Sequence, residues 1–88
     1  MAQLGLDPEQ MAVLQKALQR EATTIRALAK QLDSQLKSAW WKGKDADRFR
    51  SEWDGGHRAQ LEKVSAALEG AAKTVATNVT QQTQASQG

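Results

Sequence analysis

The sequence predicts an all-α chain that forms an antiparallel two-helix hairpin and pairs with a second hairpin into a four-helix bundle. Two unbroken series of apolar residues, spaced three and four apart, lie on either side of residues 42–44 and are typical of amphipathic helices. Leu, Ile, Val and Phe make up only 15 of the 88 residues, so one hairpin holds little apolar core of its own. A short chain with so little core gains stability from a partner.

The composition is that of one small domain covering residues 1–88, with no cysteine for a disulfide or a thiolate zinc site. Its net charge of +2 gives no reason by itself to expect a nucleic-acid partner. No run of apolar residues is long enough to span a membrane, and the N-terminus lacks the layout of a cleaved signal peptide.

The first helix is predicted over about residues 8–41. Asp7 suits the N-cap, Pro8 suits the first helical position, and Gln10 stands where a capping box needs it. The apolar series that follows predicts a narrow seam against the second helix or a dimer partner. Its members are Leu14, Leu18, Ile25, Leu28, Leu32 and Leu36.

A turn is predicted at about residues 42–44, because Gly43 suits a left-handed backbone just past a helix end. Trp40 continues the spacing of the first apolar series and is interpreted as packing into the end of the hairpin. Trp41 lies one residue off that series, beside the turn, so a partly exposed interaction role is as well supported as packing.

The second helix is predicted over about residues 45–80, with Asp45 and Asp47 at its positively polarised start. Phe49 and Trp53 are four residues apart and predict a core or seam pair. The helix is expected to continue through Gly55-Gly56, because the apolar spacing is kept across them. Residues 81–88 are polar and are expected to fray. The remaining seam positions are Leu61, Val64, Leu68 and Val75.

Trp41-Lys42-Gly43 is a Trp-x-Gly motif midway along the chain, between the two predicted helices. Ala46, Phe49 and Trp53 follow it at distances similar to those in actinobacterial proteins of the WXG-hundred family. The chain therefore resembles this family, the small ESAT-like proteins of type VII secretion. The resemblance covers nearly the whole chain, from about residue 7 to residue 79.

The resemblance implies a non-enzymatic hairpin that is made in the cytoplasm and exported folded, without a cleaved signal peptide, by a membrane-bound secretion ATPase. Family members form homodimers or heterodimers. Their export signal combines the Trp-x-Gly turn of one subunit with a Tyr-x-x-x-Asp/Glu motif on the tail of the other. The implied motif and interaction residues here are Trp40, Trp41, Gly43, Phe49 and Trp53.

Only the turn half of that signal has a match in this sequence, at Trp41 and Gly43. The chain has no tyrosine, and residues 80–88 contain no aromatic or acidic residue. The resemblance therefore favours a heterodimer over a homodimer, with a second WXG-type hairpin as the partner. That partner's tail would then make the contact with the ATPase.

Other function classes compete with this interpretation. A small helical DNA-binding protein would use the basic residues around the turn, but Asp45 and Asp47 lie among them. Helices of this length also do not form the compact three-helix unit that helix–turn–helix DNA-binding proteins have. A coiled-coil adaptor explains the seams but gives the Trp-x-Gly motif no role. The single histidine, His57, lacks the companions that a catalytic or metal site needs, so no enzyme activity, metal or cofactor is predicted.

Overall fold

The structure is a computed structural model that describes the backbone of residues 5–87 and the side chains of residues 5–84. Helix α1 spans Pro8–Ser38, helix α2 spans Lys44–Glu52 and helix α3 spans Arg58–Gln87. A π-helical segment, Trp53–His57, joins α2 to α3, and these three elements form the second arm. The chain reverses at residues 39–43 and α1 packs along α3, which confirms the predicted helical hairpin.

The start of α1 agrees with the sequence signals. Asp7 is the N-cap, and its Oδ1 accepts hydrogen bonds from the backbone N–H groups of Glu9 at 2.9 Å and Gln10 at 3.1 Å. Pro8 occupies the first turn, where its missing N–H leaves no bond unmade. The cap therefore satisfies two backbone donors that a helix start leaves without partners.

The end of α1 differs from the prediction, because the helix stops at Ser38 and the connection is residues 39–43 rather than 42–44. Ala39 takes an extended backbone, with φ −69° and ψ 134°. Trp40 keeps the helical spacing of the apolar series, and that spacing alone placed the helix end near residue 41. The carbonyl of Leu36 instead accepts hydrogen bonds from Arg50 of the second arm, so α1 ends earlier.

The end of α3 also differs, because the helix continues to Gln87 and the expected fraying of residues 81–88 is not observed in the described part of that segment. Hydroxyls of Thr80 and Thr83 donate to carbonyls four residues earlier, at 3.0 and 2.9 Å. The Gln82 amide donates to the Leu6 carbonyl at 3.1 Å. This bond ties the last turns of α3 to the start of α1, which polarity alone does not reveal.

Gly55-Gly56 lies inside the π-helical segment, so the second arm stays helical, as expected, but with a local change of winding. The Arg58 N–H bonds to the Trp53 carbonyl five residues earlier. A Cβ at either glycine would meet no atom within 4 Å, so no neighbouring backbone requires them. A π-helical turn shifts the helical phase of the residues that follow it.

Small side chains form the fully buried contact between the arms. Ala22 on α1 and Ala72 and Ser65 on α3 are 0–2% exposed. The buried Ser65 hydroxyl donates to the Leu61 carbonyl at 3.0 Å, so its polar atom has a partner. Small residues at a helix contact allow the two backbones to approach closely, which explains why alanines rather than leucines occupy this contact.

The larger apolar residues of the predicted seam lie beside this contact rather than within it. Six of them are half-buried: Leu18, Ile25, Leu36, Leu61, Leu68 and Val75. Four are exposed in the single hairpin, at 37–48% of their surface: Leu14, Leu28, Leu32 and Val64. These four residues are therefore not covered within a single hairpin, because alanine and serine fill the contact between the arms, and their place in a dimer seam stays a prediction.

The hairpin is elongated, with extents of 66 × 21 × 13 Å. Its radius of gyration is 19.3 Å, against about 12 Å for a compact domain of this length. Among the described residues, none of the helices combines the length and apolar character that crossing a bilayer requires.

Candidate interaction surface at the hairpin turn

The connection between the arms is built around Gly43, the N-cap of α2. Its backbone has φ 127° and ψ 179°, an extended region with positive φ that only glycine adopts readily. The Gly43 carbonyl accepts the Asp47 N–H at 3.0 Å, which starts α2. The positive φ agrees with the sequence interpretation. However, Gly43 opens α2 and is not the residue just past the end of α1.

Aromatic side chains cover the outer face of this connection. The rings of Trp41 and Phe49 are 6.2 Å apart, and those of Phe49 and His57 are 6.5 Å apart, both tilted. Trp41 and Phe49 are 40% and 41% exposed, and Trp40 is 88% exposed. We call these four residues, Trp40, Trp41, Phe49 and His57, the turn surface. Exposed aromatic groups on a rigid support are typical of protein–protein contacts.

Two expectations for these aromatics are corrected. Trp40 does not pack into the end of the hairpin, because α1 stops before it and leaves it in the connection. Phe49 lies against Trp41 at the surface of the single hairpin, so it does not form a core pair with Trp53, and a place for it in a dimer seam stays a prediction. Trp53 is only 6% exposed and belongs to the core.

Arg50 of α2 holds the connection against the end of α1. Its guanidinium donates to the Leu36 carbonyl from Nε and Nη2, each at 3.0 Å, and to the Ala39 carbonyl at 3.0 Å. Nη1 donates to the Trp41 carbonyl at 2.7 Å. Its central carbon also lies 5.8 Å from the centre of the Trp41 ring, within the range of a cation–π contact. One side chain thus caps a helix end and contacts the turn surface.

Asp33 of α1 forms the second polar cluster between the arms. Its Oδ1 accepts hydrogen bonds from the Trp53 indole at 3.0 Å and from Arg58 at 3.1 Å. Its Oδ2 accepts from Lys37 at 2.8 Å. The Lys37 hydrogen bond first, and then that of Trp53, lower the pKa of the Asp33 carboxyl below its ordinary value. This cluster fixes the buried indole against α1.

Sequence reasoning did not find either Arg50 or Asp33. The i,i+4 spacing on an ideal helix would place Arg50 beside Asp54 and Arg58 beside Glu62. The structure instead directs Arg50 to α1 carbonyls, and Arg58 to Asp33 as well as to Asp54 at 3.9 Å. No local signal in the sequence indicated the Arg50 contacts, because Gly43 already suited a helix end near residue 41.

Several charged residues near the turn and between the arms form ion pairs. Arg48 bonds to Asp45 at 2.9 Å, and Arg26 pairs with both Glu62 and Glu69. An open groove of about 390 Å³ lies between the arms, and its charged lining residues are three cations and three carboxylates. They are Arg26, Lys30, Asp33, Asp54, Arg58 and Glu62. This balance gives the groove no strong preference for an ion of either sign.

The arrangement is suited to recognition through aromatic contacts. Within the described residues there is no group of three or more His, Asp or Glu side chains that could hold a metal ion. Neither family models nor curated proteins nor solved structures give a match to this chain.

Proposed function

We propose that this chain is a non-enzymatic ESAT-like protein of a type VII secretion system, exported from the cytoplasm as a folded helical dimer. One observation carries the proposal. Trp41-Lys42-Gly43 lies in the connection between two long helices, with the Gly43 backbone at positive φ and the Trp41 indole partly exposed. A structural role alone does not require aromatic groups on that outer face.

The pairing of two hairpins is supported by the surface that a single hairpin leaves uncovered. The chain exposes 6824 Å². A compact monomer of 88 residues exposes about 5100 Å². The excess of about 1700 Å² is more than the roughly 800 Å² that each partner contributes to a standard interface. Exposed leucines on α1 supply apolar area for such a contact.

We propose a heterodimer with a second WXG-type hairpin as the partner. The sequence contains no tyrosine, and residues 80–88 contain no acidic residue. Because no segment of residues 1–88 matches the tail half of the export signal, we infer that the partner supplies it and that the partner's tail reaches the secretion ATPase. This chain supplies the turn half through Trp41 and Gly43. The proposal involves no cofactor and no nucleic acid.

The test is the dependence of export on the secretion ATPase. An epitope-tagged copy is expressed in the native bacterium and in the same strain without the type VII ATPase, and both culture supernatants are probed. We expect the protein in the first supernatant and its retention in the cells of the second. A cytoplasmic protein probed in parallel controls for lysis. Equal amounts in both supernatants, or in neither, would overturn the proposal.

A further inference from the structure

We infer that Arg50 is a positioning residue that fixes how the turn presents Trp41 to a partner. The inference deepens the proposed function and rests on it, because it concerns recognition at the same surface. Its basis is that one guanidinium touches three different parts of the hairpin. These are the last turn of α1 at Leu36, the connection at Ala39, and both the carbonyl and the ring of Trp41.

The hydrogen-bond geometry at position 50 requires an arginine, and another cationic side chain such as lysine does not satisfy it. Nε and Nη2 share the Leu36 carbonyl, Nη2 also reaches Ala39, and Nη1 points the other way to Trp41. The guanidinium is planar and carries five donors in a fixed fork, so one side chain meets all three carbonyls. A lysine ammonium is a point charge on a flexible stem and does not reproduce this fork or stack on an indole.

Arg50 also makes the presentation of Trp41 depend on the docking of the second arm. Arg50 belongs to α2, whereas its acceptors lie at the end of α1 and in the connection. The bonds exist only when α2 lies against the end of α1. Trp41 is therefore held at 40% exposure in the folded hairpin, while the neighbouring Trp40 is 88% exposed. A partner that binds the Trp41 indole in this position therefore binds the hairpin whose α2 is packed against α1, and not one in which α2 has separated from α1.

The experiment measures the accessibility of Trp41 by acrylamide quenching of tryptophan fluorescence. A Trp40→Phe background removes the most exposed indole, and Trp53 is 6% exposed and quenches little, so the quenchable emission reports Trp41. In this background Arg50→Lys should raise the quenching constant about twofold, toward the exposure of a free indole such as Trp40. Acrylamide is neutral, so the result does not depend on local charge.

Two control variants separate positioning from general loosening. Arg48→Lys changes an arginine two residues away whose partner is Asp45, and should leave the quenching constant unchanged. Ile25→Ala weakens the packing between the arms far from the turn and should lower the melting temperature without changing quenching. An unchanged constant in Arg50→Lys, or an equal rise in Ile25→Ala, would overturn the inference.

Circular dichroism first establishes that Arg50→Lys is helical at the temperature of the assay. If it is not, Arg50→Gln is measured instead. If neither variant is helical, Arg50 is required for the fold itself and the positioning role is overturned.

Export then separates this inference from the proposed function. We expect Arg50→Lys and Trp41→Ala each to reduce the amount of protein exported. If Trp41→Ala blocks export but Arg50→Lys raises quenching and is exported normally, presentation by Arg50 does not matter and the inference fails. If both variants are exported normally while quenching rises, the proposed function fails and the contact between Arg50 and Trp41 stands.

Discussion

The indole N–H of Trp53 donates a hydrogen bond of 3.0 Å to Asp33, joining the π-helical segment of the second arm to α1. The same carboxylate accepts bonds from Arg58 and Lys37. Trp53 is nearly buried, so this bond gives the buried indole N–H its partner. The cluster therefore fixes how the second arm packs against α1 next to the turn surface.

The Asp33 cluster predicts a specific loss of stability in acid. Hydrogen bonds from Lys37 and then Trp53 lower the pKa of the folded carboxyl below its ordinary value of 3.8. A carboxyl group whose pKa is lower in the folded chain than in the unfolded chain stabilises the fold at pH values above 3.8. This stabilisation is lost as the pH falls through 3.8 toward the lower pKa of the folded state. The melting temperature of the wild type should therefore fall more steeply in acid than that of Asp33→Asn. Thermal melts from about pH 6 to pH 2 measure this.

The matched control for this experiment is Glu21→Gln, which removes an exposed carboxylate in the middle of α1, outside the cluster and away from a helix end. Its melting temperature should keep the acid dependence of the wild type. Parallel curves for the wild type and Asp33→Asn would show that the cluster does not contribute to acid sensitivity.

The small-residue contact predicts that enlarging Ala22 separates the arms. Ala22 is fully buried, so Ala22→Leu should lower the free energy of unfolding by about 1–3 kcal/mol through overpacking. Ala27→Leu places the same side chain at an exposed position of α1 and should have little effect. Denaturant unfolding compares the two. A stable Ala22→Leu would mean that the arms do not depend on a close approach here.

Gly55 predicts a stabilising substitution within the second arm. Its position is helical and an added Cβ meets no atom within 4 Å. Gly55→Ala should therefore raise the free energy of unfolding by about 0.5–1 kcal/mol, because alanine loses less backbone entropy in a helix. Thermal melting measures the change. A clear destabilisation would indicate that the π-helical winding itself needs glycine.

A substitution at Gly43, in the connection between the arms, should instead lower the free energy of unfolding. The Gly43 φ of 127° is strained for any L-residue, although the space around it is open. Gly43→Val should cost about 1–3 kcal/mol of stability and reduce export with it. Lys42→Val introduces the same side chain at the preceding residue, where φ is not positive, and serves as the matched control. Equal melting temperatures for the two variants would contradict the backbone argument.

The hairpin was predictable from local signals at Asp7 and from the three-and-four spacing of the apolar residues. The end of α1 was not, because Trp40 keeps that spacing after the helix has stopped. What ends α1 is a set of carbonyls bonded by Arg50, which lies 14 residues after Leu36. Such a cap joins distant segments and leaves no mark in the periodicity of either one.

The Trp-x-Gly motif of the candidate site was predictable from the sequence, but the side chains that hold the second arm in place beside it were not. Trp41 and Gly43 stand out as a Trp-x-Gly motif, whereas Asp33 looks like one of several charged residues off the apolar seam. Its role depends on the π-helical segment, because that segment places Trp53 and Arg58 against α1. Ideal helical geometry does not include that change of winding, so sequence periodicity misplaces their partners.

Export of Trp41→Ala, with Val13→Ala as its control, tests the proposed role of the turn surface most directly. Both changes remove an exposed apolar side chain, but only Trp41 belongs to the turn surface and contacts Phe49 and Arg50. We expect both variants to melt close to the wild type, and only Trp41→Ala to disappear from the culture supernatant. If Trp41→Ala melts and is exported like the wild type, Trp41 has no part in recognition and the central claim is contradicted.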